Sequence, residues 1–329
     1  MNRRNLMRRR RVAVSIALVM TATLGGGVAA AQTARAVKVT VLSTMLAGNR
    51  DAGIGEWGFA ALLEVDGRRL LIDTGERPET VLRNAAELGI DLSDITDLVL
   101  THNHGDHTGG LLTLRRELAR KNPRALSRVH VARGIFLPRP REGGGEDNGL
   151  LPTRAAYEAT GGAFVEHDGP TQILPGVWFT GPVPRAYPER NWSPRGQVRT
   201  PAGLVEDTVP EDASVVVDTA DGLILVSGCG HAGIVNTIEY SRKVVRAAPL
   251  QAAIGGFHLF AATDATLEWT AGKLREFGLR HLVGAHCTGI EAVYRIRSLA
   301  GLTRRTAVVG AVGSSFTLGK GIAALSIAG

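Results

Sequence analysis

The stretch Thr101-His102-Asn103-His104-Gly105-Asp106-His107-Thr108-Gly109-Gly110 follows directly on the apolar run Leu98-Val99-Leu100. Three histidines and an aspartate within six positions make poor core and odd surface, whereas imidazole and carboxylate are ligands for divalent cations. Side chains alternate along an extended segment, so His102 and His104 can point the same way and grip one ion. Asp106 and His107 follow where the chain turns and can reach a second ion beside the first. Gly105, Gly109 and Gly110 are expected to let the backbone turn tightly into the following helix.

Working outward, the same pairing of an apolar strand with a glycine-rich, ligand-bearing turn recurs. Leu71-Ile72-Asp73-Thr74-Gly75 precedes the histidine cluster by about thirty residues. Gly228-Cys229-Gly230-His231-Ala232-Gly233-Ile234-Val235-Asn236, Gly255-Gly256-Phe257-His258-Leu259 and Ala285-His286-Cys287-Thr288-Gly289 follow in the second half. Of the nine histidines, six (His102, His104, His107, His231, His258 and His286) lie in such turns, where layered α/β folds gather functional groups. His130, His167 and His281 sit inside elements and read as structural.

These motifs, with Gly58-Phe59-Ala60, resemble the metallo-β-lactamase superfamily of metal-dependent hydrolases over most of the chain from Val37 onward. Within it they are similar to the branch named for an archaeal dihydropterin-ribofuranosylaminobenzene-phosphate synthase. The resemblance implies a four-layer αβ/βα sandwich, with two mixed β-sheets facing inward and helices outside. Pattern alone gives an α/β class with its site at the strand ends. The resemblance also implies His102 and His104 on one metal and Asp106, His107 and His286 on a second, with His231 as the remaining ligand. Asp73 supports the metal loop by hydrogen bonds. The more common pattern has a Gly-His before the hairpin near Ser214 and a bridging Asp where Cys229 stands. Both are missing here, so Cys229 or His231 is expected to substitute. His258 is a further candidate, as ligand or as acid/base group beside Asp106. The expected metal is zinc, one or two ions, with manganese or iron as alternatives.

Composition bounds the rest. A chain of 329 residues that is 44% hydrophobic can bury one large α/β core. Residues 1–31 hold Arg3, Arg4 and the run Arg8 to Arg11, then an apolar segment, then Ala29-Ala30-Ala31. Basic, apolar, then small is a secretory signal, with cleavage expected after Ala31 and a periplasmic or secreted product. About 13 apolar residues are too few to span a bilayer comfortably, so no stable membrane anchor is expected after cleavage. Six of the 38 basic residues and none of the 31 acidic ones fall in that segment, so the formal charge drops from +7 to +1 without it. The high pI belongs to the export segment and does not point to nucleic acid.

Residues 32–36 read as a short linker and 37–329 as one domain. Between 134 and 210 many prolines and glycines break the chain, which predicts a loop-rich, substrate-facing insertion. Arg185, Trp192 and Arg195 within it suit an anionic, ring-bearing small molecule. No Gly-x-Ser-x-Gly elbow and no dinucleotide fingerprint appears. Cys229 and Cys287 each adjoin a site histidine, so a disulfide and thiolate ligation by Cys229 are both open. A secreted metallohydrolase acting on an ester, lactone or phosphoester with metal-activated water is the leading expectation. An iron-dependent oxidoreductase, a pterin-related synthase and a non-catalytic metal- or ligand-binding protein are the alternatives.

Overall fold

The computed structural model describes residues 33–49 and 53–325; the signal expected at 1–31 lies outside them. Two sheets are built from alternating apolar strands. In the first, β1 (Val37–Ser43), β2 (Ala60–Val65) and β3 (Arg68–Ile72) run antiparallel; β4 (Asp97–Val99), β5 (Arg128–Ala132) and β6 (Ala163–His167) then continue parallel to β3. The β2–β3 turn is tight because Asp66 and Gly67 both adopt positive φ, as the right-handed strand twist requires of a two-residue hairpin. In the second sheet, β7 (Thr171–Leu174), β8 (Val177–Phe179), β11 (Ser214–Thr219) and β12 (Gly222–Ser227) form the antiparallel half. From β12, the strands β13 (Leu250–Gly255), β14 (His281–Gly284) and β15 (Ala307–Val309) form the parallel half. Two short C-terminal strands, β16 (Ser315–Thr317) and β17 (Gly321–Ala323), close the edge of the first sheet beside β1.

Buried side chains sort into three layers. Val39, Val41, Leu63 and Ile72 of one sheet pack against Val215, Val217, Ile224 and Val226 of the other, an apolar seam between the two sheets. The outer face of the first sheet is covered by α1 (Thr80–Glu87), α3 (Leu111–Ala119) and α4 (Leu150–Glu158). That of the second is covered by α5 (Ile234–Val244), α6 (Asp264–Glu276) and α7 (Ile290–Leu299). This is the αβ/βα sandwich. Thr263 caps α6 by accepting the Thr266 N–H, as its place before the helix predicts. Among the described residues no helix is long and apolar enough to cross a membrane.

Two expectations are corrected. The segment 134–210 is less irregular than its prolines suggest: it supplies α4, β6, β7 and β8, and a small hairpin of β9 (Gln197–Thr200) and β10 (Gly203–Glu206). Its prolines and glycines mark the joints between elements that complete the edges of both sheets. The helix expected to follow the glycines of the metal loop is preceded by a short one within the loop itself. A four-residue helix, α2 (Gly105–Thr108), comes first and carries Asp106 and His107, and α3 follows.

Candidate metal centre

The parallel strands deliver the site. The turns after β3, β4, β12, β13 and β14 carry Asp73, the His102–His107 cluster, Cys229 with His231, His258 and His286. Parallel strands end together, so residues distant in sequence meet at one end of the seam.

The protein's own hydrogen bonds hold the metal loop. Asp73, fully buried, accepts the Thr101 N–H and the Thr101 hydroxyl, each at 2.8 Å, and His107 Nδ1–H at 2.7 Å. Thr74 N–H and Oγ1–H both donate to the His107 carbonyl, which pins α2 to the turn after β3. Thr101 was missed by pattern reading; nothing in a lone threonine signals such a role. Gly109 and Gly110 act by closeness, whereas a Cβ on Gly105 would meet open space. A Cβ on Gly109 would lie 1.8 Å from the Glu76 carbonyl, and none of Gly105, Gly109 and Gly110 has positive φ. Gly228 is bound the same way, since a Cβ there would meet Thr101 Oγ1 at 2.1 Å and Asp73 Oδ2 at 2.4 Å.

His102, His104 and His231 form one trio, with ring centroids 4.5, 4.7 and 4.8 Å apart. Asp106, His107, Cys229 and His286 form the adjoining group, their donor atoms within 4.8 Å of one another. Cys229 belongs to both halves: its Sγ is 3.2 Å from His107 Nε2, and it also groups with His102 and His231. It therefore stands between the two halves, where the resemblance expects a bridging carboxylate.

The donor set fits divalent cations. Thr101 Oγ1 spends its proton on Asp73, so it accepts from His102 Nδ1–H, and His102 Nε2 is left with a lone pair. His231 Nδ1–H is likewise taken by the Asn191 carbonyl. The outward nitrogens are held by acceptors and the inward ones, His102 Nε2 and His231 Nε2, are buried without partners, while His286 Nε2 lies 3.3 Å from Asp106 Oδ2. Unpaired buried polar atoms are costly unless something answers them. Burial, reinforced by neighbouring histidines, lowers His102 and His231 well below the ordinary imidazole range; burial lowers His104 to about 4. Burial works to raise Asp106, yet His107, His286 and His104 hold it below the usual carboxylate range. His102, His104 and His231 are thereby kept neutral, as ligands to a cation must be, whereas burial works to lower His286 but Cys287 and Asp106 raise it to about 10.

Cys229 and Cys287 are free, buried thiols with their sulfurs 3.2 Å apart. Burial, with Cys287 against it, pushes the Cys229 thiol up. Asp73, His258 and His286 all hold positive φ, a conformation non-glycine residues seldom keep without compensating contacts. His258 sits at the rim, its ring 4.7 Å from that of His231 and its Nδ1 unpartnered.

Of Arg185, Trp192 and Arg195, only Trp192 lines the adjoining cavity. The Arg185 guanidinium is spent on the carbonyls of Thr208 and Val209 and lies over the Trp192 ring. Arg195 is exposed and does not line the cavity. The cation-rich substrate face expected of these two arginines is not formed. Pattern reading overlooked Trp57 and Phe260, which stand exposed at the mouth with no motif to mark them. His130, His167 and His281 lie elsewhere: His130 pairs with Asp97 and His167, and His281 with the Gln251 carbonyl.

A family model described as the metallo-beta-lactamase superfamily matches residues 58–243. A Methanocaldococcus jannaschii protein named 7,8-dihydropterin-6-methyl-4-(beta-D-ribofuranosyl)-aminobenzene-5'-phosphate synthase is 30% identical over 265 residues, 78% of this chain and 89% of its own. Among solved structures, Tm1679, described as a metal-dependent hydrolase of the beta-lactamase superfamily, is 25% identical. It superposes with a TM-score of 0.67 over 85% of this chain and 98% of its own. Zn2+-bound PqqB from Methylobacterium extorquens shares the fold at 14% identity and a TM-score of 0.51, covering 84% of this chain and 99% of that one.

Proposed function

Because this chain belongs to the metallo-β-lactamase superfamily, we propose that it is an exported metal-dependent hydrolase acting on an ester, lactone or phosphoester of a small molecule. The observation that carries this reading is the convergence of unpartnered imidazole nitrogens on an ionised Asp106 and the Cys229 sulfur. The superfamily fold implies divalent metal binding. His102, His104 and His231 would hold one cation, and Asp106, His107 and His286 a second, with Cys229 between; zinc suits this mixture of nitrogen, oxygen and sulfur donors. When bound, such cations supply Lewis acidity, making water a nucleophile near neutral pH and drawing charge from an attacked oxygen.

The chain's own groups do the rest. Asp73 fixes the His107 tautomer and holds Thr101, so the loop does not reorganise as charge develops. The Asp106 carboxylate, still reached by solvent, accepts a hydrogen bond from the attacking water and orients it. His258, at the rim with Nδ1 unpartnered, is placed to pass a proton to a leaving oxygen. Its backbone strain is the kind kept where a side chain must be aimed.

Purified protein should contain zinc by elemental analysis and hydrolyse at least one member of a panel of lactones, carboxylic esters and phosphodiesters. The His104→Ala/Asp106→Ala double variant should lose metal and turnover together; hydrolysis retained without metal would refute the reading. Iron in place of zinc would favour an oxidoreductase. The similarity to the M. jannaschii synthase favours one second reading, condensation of a dihydropterin with an aminobenzene ribosyl phosphate. Product formation from that pair, with the hydrolysis panel silent, would establish it. Export rests on the basic, apolar and small blocks of 1–31, and an exported product beginning at Gln32 is the expected mass.

A further inference from the structure

We propose that the cavity beside the metal cluster binds a planar aromatic group of the substrate; this deepens the hydrolase reading and rests on it. The cavity, about 640 Å³, lies between the 188–192 segment and the turn leading into α6. That volume suits a one- or two-ring group with its attached linkage.

Aromatic residues are scarce in this chain, at 5%, yet three of its four tryptophans gather here. Trp192 and Trp269 line the cavity with Phe260. Trp57 stands at the entrance, 6.0 Å edge-on to Phe260 and 5.2 Å from the His286 ring. Phe260 is 53% exposed and Trp57 44%, so large apolar faces meet water at the lip of a buried polar cluster. Such exposure is unfavourable unless a ligand covers it, and edge-to-face geometry favours an aromatic one.

Charge points the same way. The cavity's two formally charged residues are already committed: Glu189 accepts the Val235 and Asn236 N–H groups at the start of α5, and Arg190 pairs with Glu206 at 2.9 Å. Among the described residues lining the cavity, Arg190 is the one cation, and it lies over the Trp192 ring while pairing with Glu206 at the surface. His258 ties cavity to cluster, its ring 5.1 Å from Phe260 and 4.7 Å from His231. A ring seated against Phe260 brings a directly attached ester or phosphoester to the metal ligands.

The test measures binding apart from turnover. Metal-loaded protein is titrated with 2-naphthylmethanol, followed by quenching of tryptophan emission, and decahydro-2-naphthylmethanol competes as the saturated comparator. The aromatic alcohol should bind at least about tenfold tighter. Phe260→Ala and Trp269→Leu should each abolish that preference with the circular-dichroism spectrum unchanged, and Phe260→Tyr should keep it. In turnover, benzyl acetate should be preferred to cyclohexylmethyl acetate, whose leaving alcohol is similarly acidic, through KM. No saturable binding in the wild type, or a preference that survives both Phe260→Ala and Trp269→Leu, overturns the proposal. Binding retained while every hydrolysis assay fails would support the aromatic site and count against the hydrolase reading alone.

Discussion

The Asp73 carboxylate stands 2.7 Å from His107 Nδ1 and so decides which nitrogen of that ring faces the cluster. One carboxylate thereby sets a tautomer and, through Thr101, a loop. Asp73→Asn keeps the shape but replaces an acceptor with a donor at one of its two oxygens. Zinc affinity should fall about 10- to 100-fold, measured by competition with a chromophoric chelator. An unchanged affinity would show that His107 Nε2 is not a ligand.

Cys229 lies 3.2 Å from His107 Nε2 and groups with ligands of both halves. Substitution of cobalt(II) should therefore produce a sulfur-to-metal charge-transfer absorption in the near ultraviolet. Cys229→Ser should lose that band, whereas Cys287→Ser should keep it. A stable Cys229–Cys287 disulfide in fully active protein, seen by mass spectrometry, would exclude thiolate ligation.

Arg185 acts as a strut. Its guanidinium caps the Thr208 and Val209 carbonyls near the carboxylates of Asp212, Glu211 and Asp207. Arg185→Ala should destabilise the fold by about 1–3 kcal/mol, from orphaned carbonyls and uncompensated charge, while KM for a hydrolysed substrate stays unchanged. Arg195→Ala should alter neither. A raised KM without loss of stability in Arg185→Ala would restore that arginine to the substrate.

Burial raises Glu189 to about 7 against the hydrogen bonds it accepts from the start of α5. A folded value above the unfolded one means the folded chain holds the proton more tightly. Its contribution is therefore complete below about pH 4.5 and is lost as pH rises through 7. Glu189→Gln removes the titration without changing shape. The urea midpoint of the variant relative to wild type should move upward between pH 5 and pH 8, and a gap independent of pH would contradict the assignment.

The residues delivering the metal loop were legible because their pattern is local. An apolar strand followed by His-x-His-x-Asp-His needs no distant information. The 134–210 segment was misread for the complementary reason. Short edge strands are stabilised by the neighbour they pair with, and β6 or β7 carries little periodicity of its own. Arg185 and Arg195 show the same limit: residue type names what a guanidinium can bind, and packing decides what it does bind.

What the sequence by itself determined was the inventory: the ligand-bearing turns and an α/β class with its site at the strand ends. Each depends on chemistry or spacing within a few positions. Only the tertiary structure decided that Cys229 stands between the two ligand groups, that Thr101 and Asn191 set ring tautomers, and that Trp57, Phe260 and Trp269 share a mouth with His258. Those relations join residues scores of positions apart. They exist only because parallel strands end side by side and bring their turns to one edge of the seam.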